Sequence, residues 1–207
     1  MILYTFDLKK EKIESNKLLE VCLRDYCRRK SIGIPCEGFI ISKIRNGKPE
    51  LSNIKDVNFS ISHTKDLFVC GVQDKELGLD IEDMKLKEKR EFSRYESIAK
   101  RFFEVEEQAY VQAKGLSGFF EIWTRKEAYI KAKATGISEG LNSFSVIENM
   151  CFKSKLGDYL LSSIIPFIKE QNEIEDARIL GAYCSKIPLI IEEIIKIEEM
   201  RGKSERA

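Results

Sequence analysis

No stretch of the 207 residues reaches the roughly 18 consecutive apolar positions that a membrane-crossing helix needs. The apolar start MILYTFDLKK turns polar too early for a secretory leader, so the expectation is a cytoplasmic protein with no membrane partner. Histidine occurs once. The six cysteines, Cys22, Cys27, Cys36, Cys70, Cys151 and Cys184, form neither a CxxC pair nor a Cys/His cluster of zinc spacing. Cys22, Cys70 and Cys184 lie inside apolar runs, where reduced thiols act as small core residues. The formal charge of +1 lacks the strongly basic footprint of a dedicated nucleic-acid binder. GxxxxGK[ST], GxGxxG and GxSxG are all missing, which removes the commonest nucleotide-binding and serine-hydrolase readings.

What is present is ordinary globular material: 43% hydrophobic and 33% charged residues, enough to build a core without disulfides. Residues 1–8 read as a strand. Residues 16–30 read as an amphipathic helix on Leu18, Leu19, Cys22, Leu23 and Tyr26, with Arg28, Arg29 and Lys30 at its end. Strand patterns follow at 38–45, 57–62, 67–73 and 77–82. A turn is expected at 46–49, and the Asp74-Lys75-Glu76 turn makes the last two strands an expected hairpin. Residues 85–100 read as a charged loop or exposed helix, 101–114 and 119–134 as helices, and 142–197 mostly as strands. Helix followed by strands occurs twice, which predicts an α+β chain of two subdomains, 1–76 and 77–207.

Three clusters could carry chemistry. In Gly78-Leu79-Asp80-Ile81-Glu82, a strand would send Leu79 and Ile81 to the core and Asp80 with Glu82 to the other face. Adjacent carboxylates repel unless a cation neutralises them, and a hard divalent ion prefers such oxygens. Read alone, the segment is better explained as a polar, solvent-facing strand edge. In Trp123–Lys131, helical spacing pairs Glu127 with Lys131, by itself a routine i,i+4 ion pair. Set against the strand, Glu127 would complete an oxygen site and Lys131 would face an anionic substrate. The third cluster, Asn58–Thr64, holds the lone His63 at a strand end.

In order, GKP, FSISHT, GLDIE, RFF…E and WTRKEAYIK resemble the signature series of the phosphopantetheinyl transferases, of the larger monomeric class that activates peptide, polyketide and fatty-acid synthases. The resemblance runs from Gly47 to Lys131 and is specific in its combination rather than in any one motif. It implies two similar α+β halves in a pseudo-two-fold arrangement with the active site in the cleft between them. It implies Asp80, Glu82 and Glu127 as ligands of Mg²⁺, with Mn²⁺ an alternative. Lys131 matches the lysine on the coenzyme A pyrophosphate, and Ser62 with His63 the pair holding the 3′-phosphate. Lys48 and Pro49 match the turn beside the nucleotide. Lys126 and Trp123 share the helix motif, Lys126 among the cofactor-binding positions. The implied activity transfers the phosphopantetheine arm of coenzyme A to a serine of an acyl or peptidyl carrier protein, with Asp80, Glu127 and Lys131 as catalytic residues. Glu127 is the first candidate for the base and Glu107 the second. A monomer is expected. The larger relatives carry a basic segment before the first long helix; here residues 1–15 precede it, with Lys9, Lys10 and Lys12, and Lys17 follows. The rival readings are a non-catalytic coenzyme A or carrier-protein binding module and another magnesium-dependent phosphotransferase.

Overall fold

In the computed structural model, the described residues are 1–43, 48–87, 91–136, 140–166, 168, 179–187, 190–198 and 200. They are mixed helix and sheet, as expected. Two four-stranded sheets carry the fold. The first has the order β12-β1-β5-β4, from Glu193–Lys196, Ile2–Asp7, Leu67–Gln73 and Asn58–His63. The second has the order β6-β11-β10-β9, from Leu77–Asp83, Ile179–Ser185, Tyr159–Ser163 and Lys155–Leu156. Two small pairs flank them: β2 (Ile41–Lys43) with β3 (Pro49–Leu51), and β7 (Ile147–Glu148) with β8 (Cys151–Phe152). The turn expected at 46–49 falls partly on residues outside those described.

The strand sequences explain the layering. Along β1, Ile2, Tyr4 and Phe6 pack on helix α1 (Ser15–Arg29), while Met1 and Leu3 face the second sheet. On β5, Phe68, Cys70 and Val72 go with the first set, and Leu67 and Val69 with the second. Both strands are therefore buried on both faces, and their nearly continuous apolar runs follow from that. Leu77, Leu79 and Ile81 of β6 and Tyr183 of β11 complete the apolar layer between the sheets. The outer face of the second sheet, with Ala182 and Cys184, is covered by helix α4 (Val105–Lys133). Helices α2 (Met84–Lys87) and α3 (Phe92–Phe102) precede it, and Tyr95 of α3 packs on Phe119 and Phe120. Among the described residues no helix is long and apolar enough to cross a membrane.

Gly115 interrupts α4 with φ 65° and ψ −143°, so its two stretches are the two helices the sequence predicts. The expected β5–β6 hairpin does not form. Both edges of β5 are taken, by β1 and β4, so β6 has no place beside it and enters the second sheet against β11. The Gln73 side-chain amide holds the crossing by donating to the carbonyls of Lys75 and Glu76 and to Ser185 Oγ. The last strand, β12, returns to pair in parallel with β1, and Arg29 and Lys30 at the end of α1 reach Glu193 and Glu192 at 2.7 and 2.6 Å. Part of the basic run is thus spent on holding the helix to its sheet.

Gly78 sets the distance between β6 and α4. A Cβ there would lie 2.0 Å from the Ala128 carbonyl oxygen and 2.4 Å from the Ala132 nitrogen, both helix backbone that cannot swing aside. Gly78→Ala is expected to destabilise the protein by at least about 3 kcal/mol, the upper end of overpacking costs. Urea unfolding measures this, and a loss under about 1 kcal/mol would show that the helix can slide away at little cost.

Candidate functional site

The site lies where the two sheets meet edge to edge. β4 ends the first sheet and β6 begins the second, and no backbone ladder joins them. On β6, alternate residues turn their N–H and C=O away from β11, and these groups still need partners. Ser60 Oγ accepts the Leu79 N–H at 3.0 Å and Ser62 Oγ accepts the Ile81 N–H at 3.2 Å. The carbonyl of Leu79 accepts from Lys131 Nζ at 3.1 Å, and that of Leu77 from Lys48 Nζ at 3.3 Å. Two serines at i and i+2 of β4, one lysine of α4 and one lysine beside β3 thus close the free edge of β6.

The same edge positions Asp80. Its Oδ1 receives Lys131 Nζ at 2.7 Å and Ser62 Oγ at 3.0 Å. Its Oδ2 is buried and has no hydrogen-bond partner among the described residues. An ionised carboxylate oxygen left dry and undonated is costly, and it is the atom a hard cation would take. Glu127, four residues before Lys131 on α4, is half-buried, and its pKa is raised. Burial is the main cause, then repulsion from Asp80; Lys131 acts in the opposite direction, and Glu82 adds to the rise. Glu127 therefore feels both of the strand carboxylates singled out in the sequence. Among the described residues no group of three or more His, Cys, Asp and Glu is already closed into a ligand cage. The orphaned Asp80 Oδ2 and the destabilised Glu127 charge nevertheless fit a divalent ion, which would satisfy the first and neutralise the second.

Other expected residues fall elsewhere. Ser62 and His63 are neighbours on a strand and point to opposite sides: Ser62 is buried against Asp80, whereas His63 is exposed, its Nδ1 3.3 Å from the Thr64 carbonyl oxygen. Lys48 and Pro49 line a hollow with Glu50, Val57 and Phe59, and burial lowers the Lys48 pKa. Trp123 stacks on Phe119 with ring centroids 5.7 Å apart, a packing role.

Lys126 is not at this site. It is fully buried, and its three protons go to Glu107 at 2.8 Å and to the carbonyls of Leu141 and Phe144. Nothing remains to bind a nucleotide. Glu107 is equally enclosed and also accepts the Glu104 and Val146 N–H groups, at 2.9 and 2.8 Å. A carboxylate so occupied is badly placed to take a proton from a substrate. Helical spacing explains the separation, since Lys126 and Glu127 project about 100° apart and only one can face β6.

Residues 76–162 match the family model described as the 4′-phosphopantetheinyl transferase superfamily. Over that segment the chain is similar to this superfamily. It is 34% identical over 134 residues to the 4′-phosphopantetheinyl transferase gsp of Aneurinibacillus migulanus, covering 63% of this chain and 52% of that one. It is 36% identical over 121 residues to a 4′-phosphopantetheinyl transferase of Bacillus subtilis, covering 56% and 51%. To Sfp of Bacillus subtilis strain 168 it is 35% identical over 104 residues, covering 48% and 43%. The chain thus spans about half the length of the curated phosphopantetheinyl transferases it matches. The matched segment contains Asp80, Glu82, Glu107, Lys126, Glu127 and Lys131; Ser60, Ser62 and Lys48 lie before it.

Two measurements follow. Lys126→Met strands a buried Glu107 carboxylate and is expected to cost about 3–5 kcal/mol in urea unfolding. Adding Glu107→Gln should recover most of that loss, and costs that simply add would show that the two side chains are not a pair. Glu127, its folded pKa raised, stabilises the fold in its protonated form: fully below the unfolded carboxylate value of about 4.3, and decreasingly as pH rises through the folded value. Glu127→Gln should therefore raise Tm at pH 7 in chelator, with the gain vanishing near pH 4. A lower Tm at pH 7 would contradict the assigned repulsion.

Proposed function

We propose that the chain is a holo-carrier-protein synthase, which moves the 4′-phosphopantetheine arm of coenzyme A onto a serine hydroxyl of an acyl or peptidyl carrier protein. The observation that carries this reading is the orphaned Asp80 Oδ2 beside Lys131 and Glu127, within the segment that matches the superfamily. In the proposed reaction the serine oxygen forms a bond to the pantetheine-side phosphorus. The bond from that phosphorus to the bridging oxygen breaks, and adenosine 3′,5′-bisphosphate leaves with the electron pair. The difficulty is the approach of a neutral hydroxyl to an anionic pyrophosphate, so alignment and positive charge dominate catalysis.

Asp80, Glu82 and Glu127 would hold Mg²⁺, or Mn²⁺, which accepts the same oxygen ligands. Bound there, the ion supplies positive charge to the phosphate oxygens. Lys131, anchored at Leu79 and Asp80, would offer its remaining N–H to the same anion. Glu127 would receive the serine proton. Lys48 and Pro49 border the hollow proposed for the nucleotide, and exposed His63 is free to meet its 3′-phosphate. The subdomain division 1–76 and 77–207, the cleft between the halves, a monomeric state and the cytoplasm belong to the same proposal.

The test is the mass of a purified apo carrier protein after incubation with the chain, coenzyme A and Mg²⁺. A gain of the phosphopantetheine arm is expected, with a rate at least about 100-fold lower for Asp80→Ala. Binding of coenzyme A without modification of any carrier tried would favour the binding-module reading. Near-normal turnover by Asp80→Ala would overturn the assignment of the carboxylates.

A further inference from the structure

Ser62 has a task that its expected phosphate-holding role does not allow for. A serine hydroxyl has a single proton to donate. Here it goes to Asp80 Oδ1, 3.0 Å away, while the oxygen accepts the Ile81 N–H. The side chain is buried, and its neighbour His63 lies on the opposite, exposed side of β4. A 3′-phosphate on His63 would have no donor from Ser62 unless the bond to Asp80 were broken.

The bond matters because of what it does to the carboxylate. The terminal torsion of an aspartate is broad and roughly two-fold, so nothing intrinsic distinguishes Oδ1 from Oδ2. At Asp80 the two oxygens are made unequal: Lys131 and Ser62 both donate to Oδ1, and none of the described groups donates to Oδ2. Lys131 alone is a weak clamp, being a compact charge on a flexible stem. Ser62 is a rigid one, fixed to the β6 backbone at Ile81, one residue from the carboxylate it orients.

We infer that Ser62 is a positioning residue that, with Lys131, occupies Asp80 Oδ1 and thereby aims the unpartnered Oδ2 at a divalent cation. The inference rests on the metal reading under Proposed function. It assigns Ser62 to the cation and leaves the nucleotide's 3′-phosphate to His63 and groups other than Ser62.

Ser60 provides an internal control. Two residues earlier on the same face of β4, its hydroxyl makes the corresponding bond to the Leu79 N–H, one step removed from the carboxylate. Removing either hydroxyl leaves one strand N–H without its acceptor. Only Ser62 should alter the cation. Mn²⁺ affinity of the full chain, read by electron paramagnetic resonance of the free ion without coenzyme A, is expected to fall about 10–100-fold in Ser62→Ala. Ser60→Ala should leave it unchanged and Ser62→Thr should restore it. Calorimetry with coenzyme A and 3′-dephospho-coenzyme A should show the same preference between them in Ser62→Ala as in the unaltered chain. Should alanine not fold there, Ser62→Cys, a weak donor of similar size, is held to the same result. Equal Mn²⁺ affinity in the Ser62 and Ser60 variants overturns the inference, as does a lost 3′-phosphate preference in Ser62→Ala. Failure of the unaltered chain to bind Mn²⁺ at all is a different outcome, and it overturns the metal reading itself.

Discussion

The free edge of β6 is the constraint on which the site depends. Its far edge is paired to β11 over the whole strand, but on the near side the polar groups of Leu77, Leu79 and Ile81 face another sheet's edge. A continued ladder would merge the two sheets into one and leave no room between the edges. A bare edge buried at the junction would cost about 1–3 kcal/mol for each unmet group. The structure takes a third course and satisfies the edge with side chains: Ser60, Ser62, Lys131 and Lys48. Side chains hold the strands further apart than a ladder does, and they bring donors and charge with them. The junction between the sheets thereby becomes polar at one line while remaining apolar behind it, at Leu79 and Ile81.

The electrostatics of the site follow from the same arrangement. Lys131 both closes the edge at the Leu79 carbonyl and partly neutralises Asp80. Burial first, then repulsion from Asp80, raises the pKa of Glu127, and Lys131 does not offset them. A protein selected for stability alone would replace Glu127 by a neutral residue. A half-buried, repelled glutamate beside an undonated aspartate oxygen is the electrostatic cost that the proposed cation would relieve.

Much of this was legible in the sequence, because the strand period and the helix period are strong signals. Alternation in GLDIE separated Leu79 and Ile81 from Asp80, and i,i+4 spacing put Glu127 beside Lys131. The partner of β6 was not legible. Adjacent strands with a short turn between them favour a hairpin, and only the occupation of both β5 edges, by β1 on one side and β4 on the other, forbids it. Burial of charge was also hidden. Lys126 and Glu127 are adjacent and both charged, yet one is sealed in a pair with Glu107 and the other faces the strand carboxylates. The Glu104/Glu107 spacing at a helix start was the signal available, since a glutamate three residues in often folds back on the backbone rather than facing solvent. Ser60 left no sequence signal beyond its spacing from Ser62.

Lys126 and Glu107 explain how α4 presents a rigid face despite its break at Gly115. Glu107 belongs to the stretch before the break and Lys126 to the stretch after it, so their contact bridges the kink. Lys126 also binds the carbonyls of Leu141 and Phe144, and Glu107 the Val146 N–H, which ties both stretches to the segment after the helix. A buried ion pair is a weak source of stability, because desolvation offsets most of its attraction. It is a good source of geometric definition, because every donor and acceptor must be met at once. Glu127 is the next residue after Lys126, so the orientation that seats Lys126 in its pocket also fixes the direction of Glu127. The helix face toward β6 is thus set from behind by a charge pair and in front by the close approach at Gly78, and the position of Glu127 relative to Asp80 is determined between them.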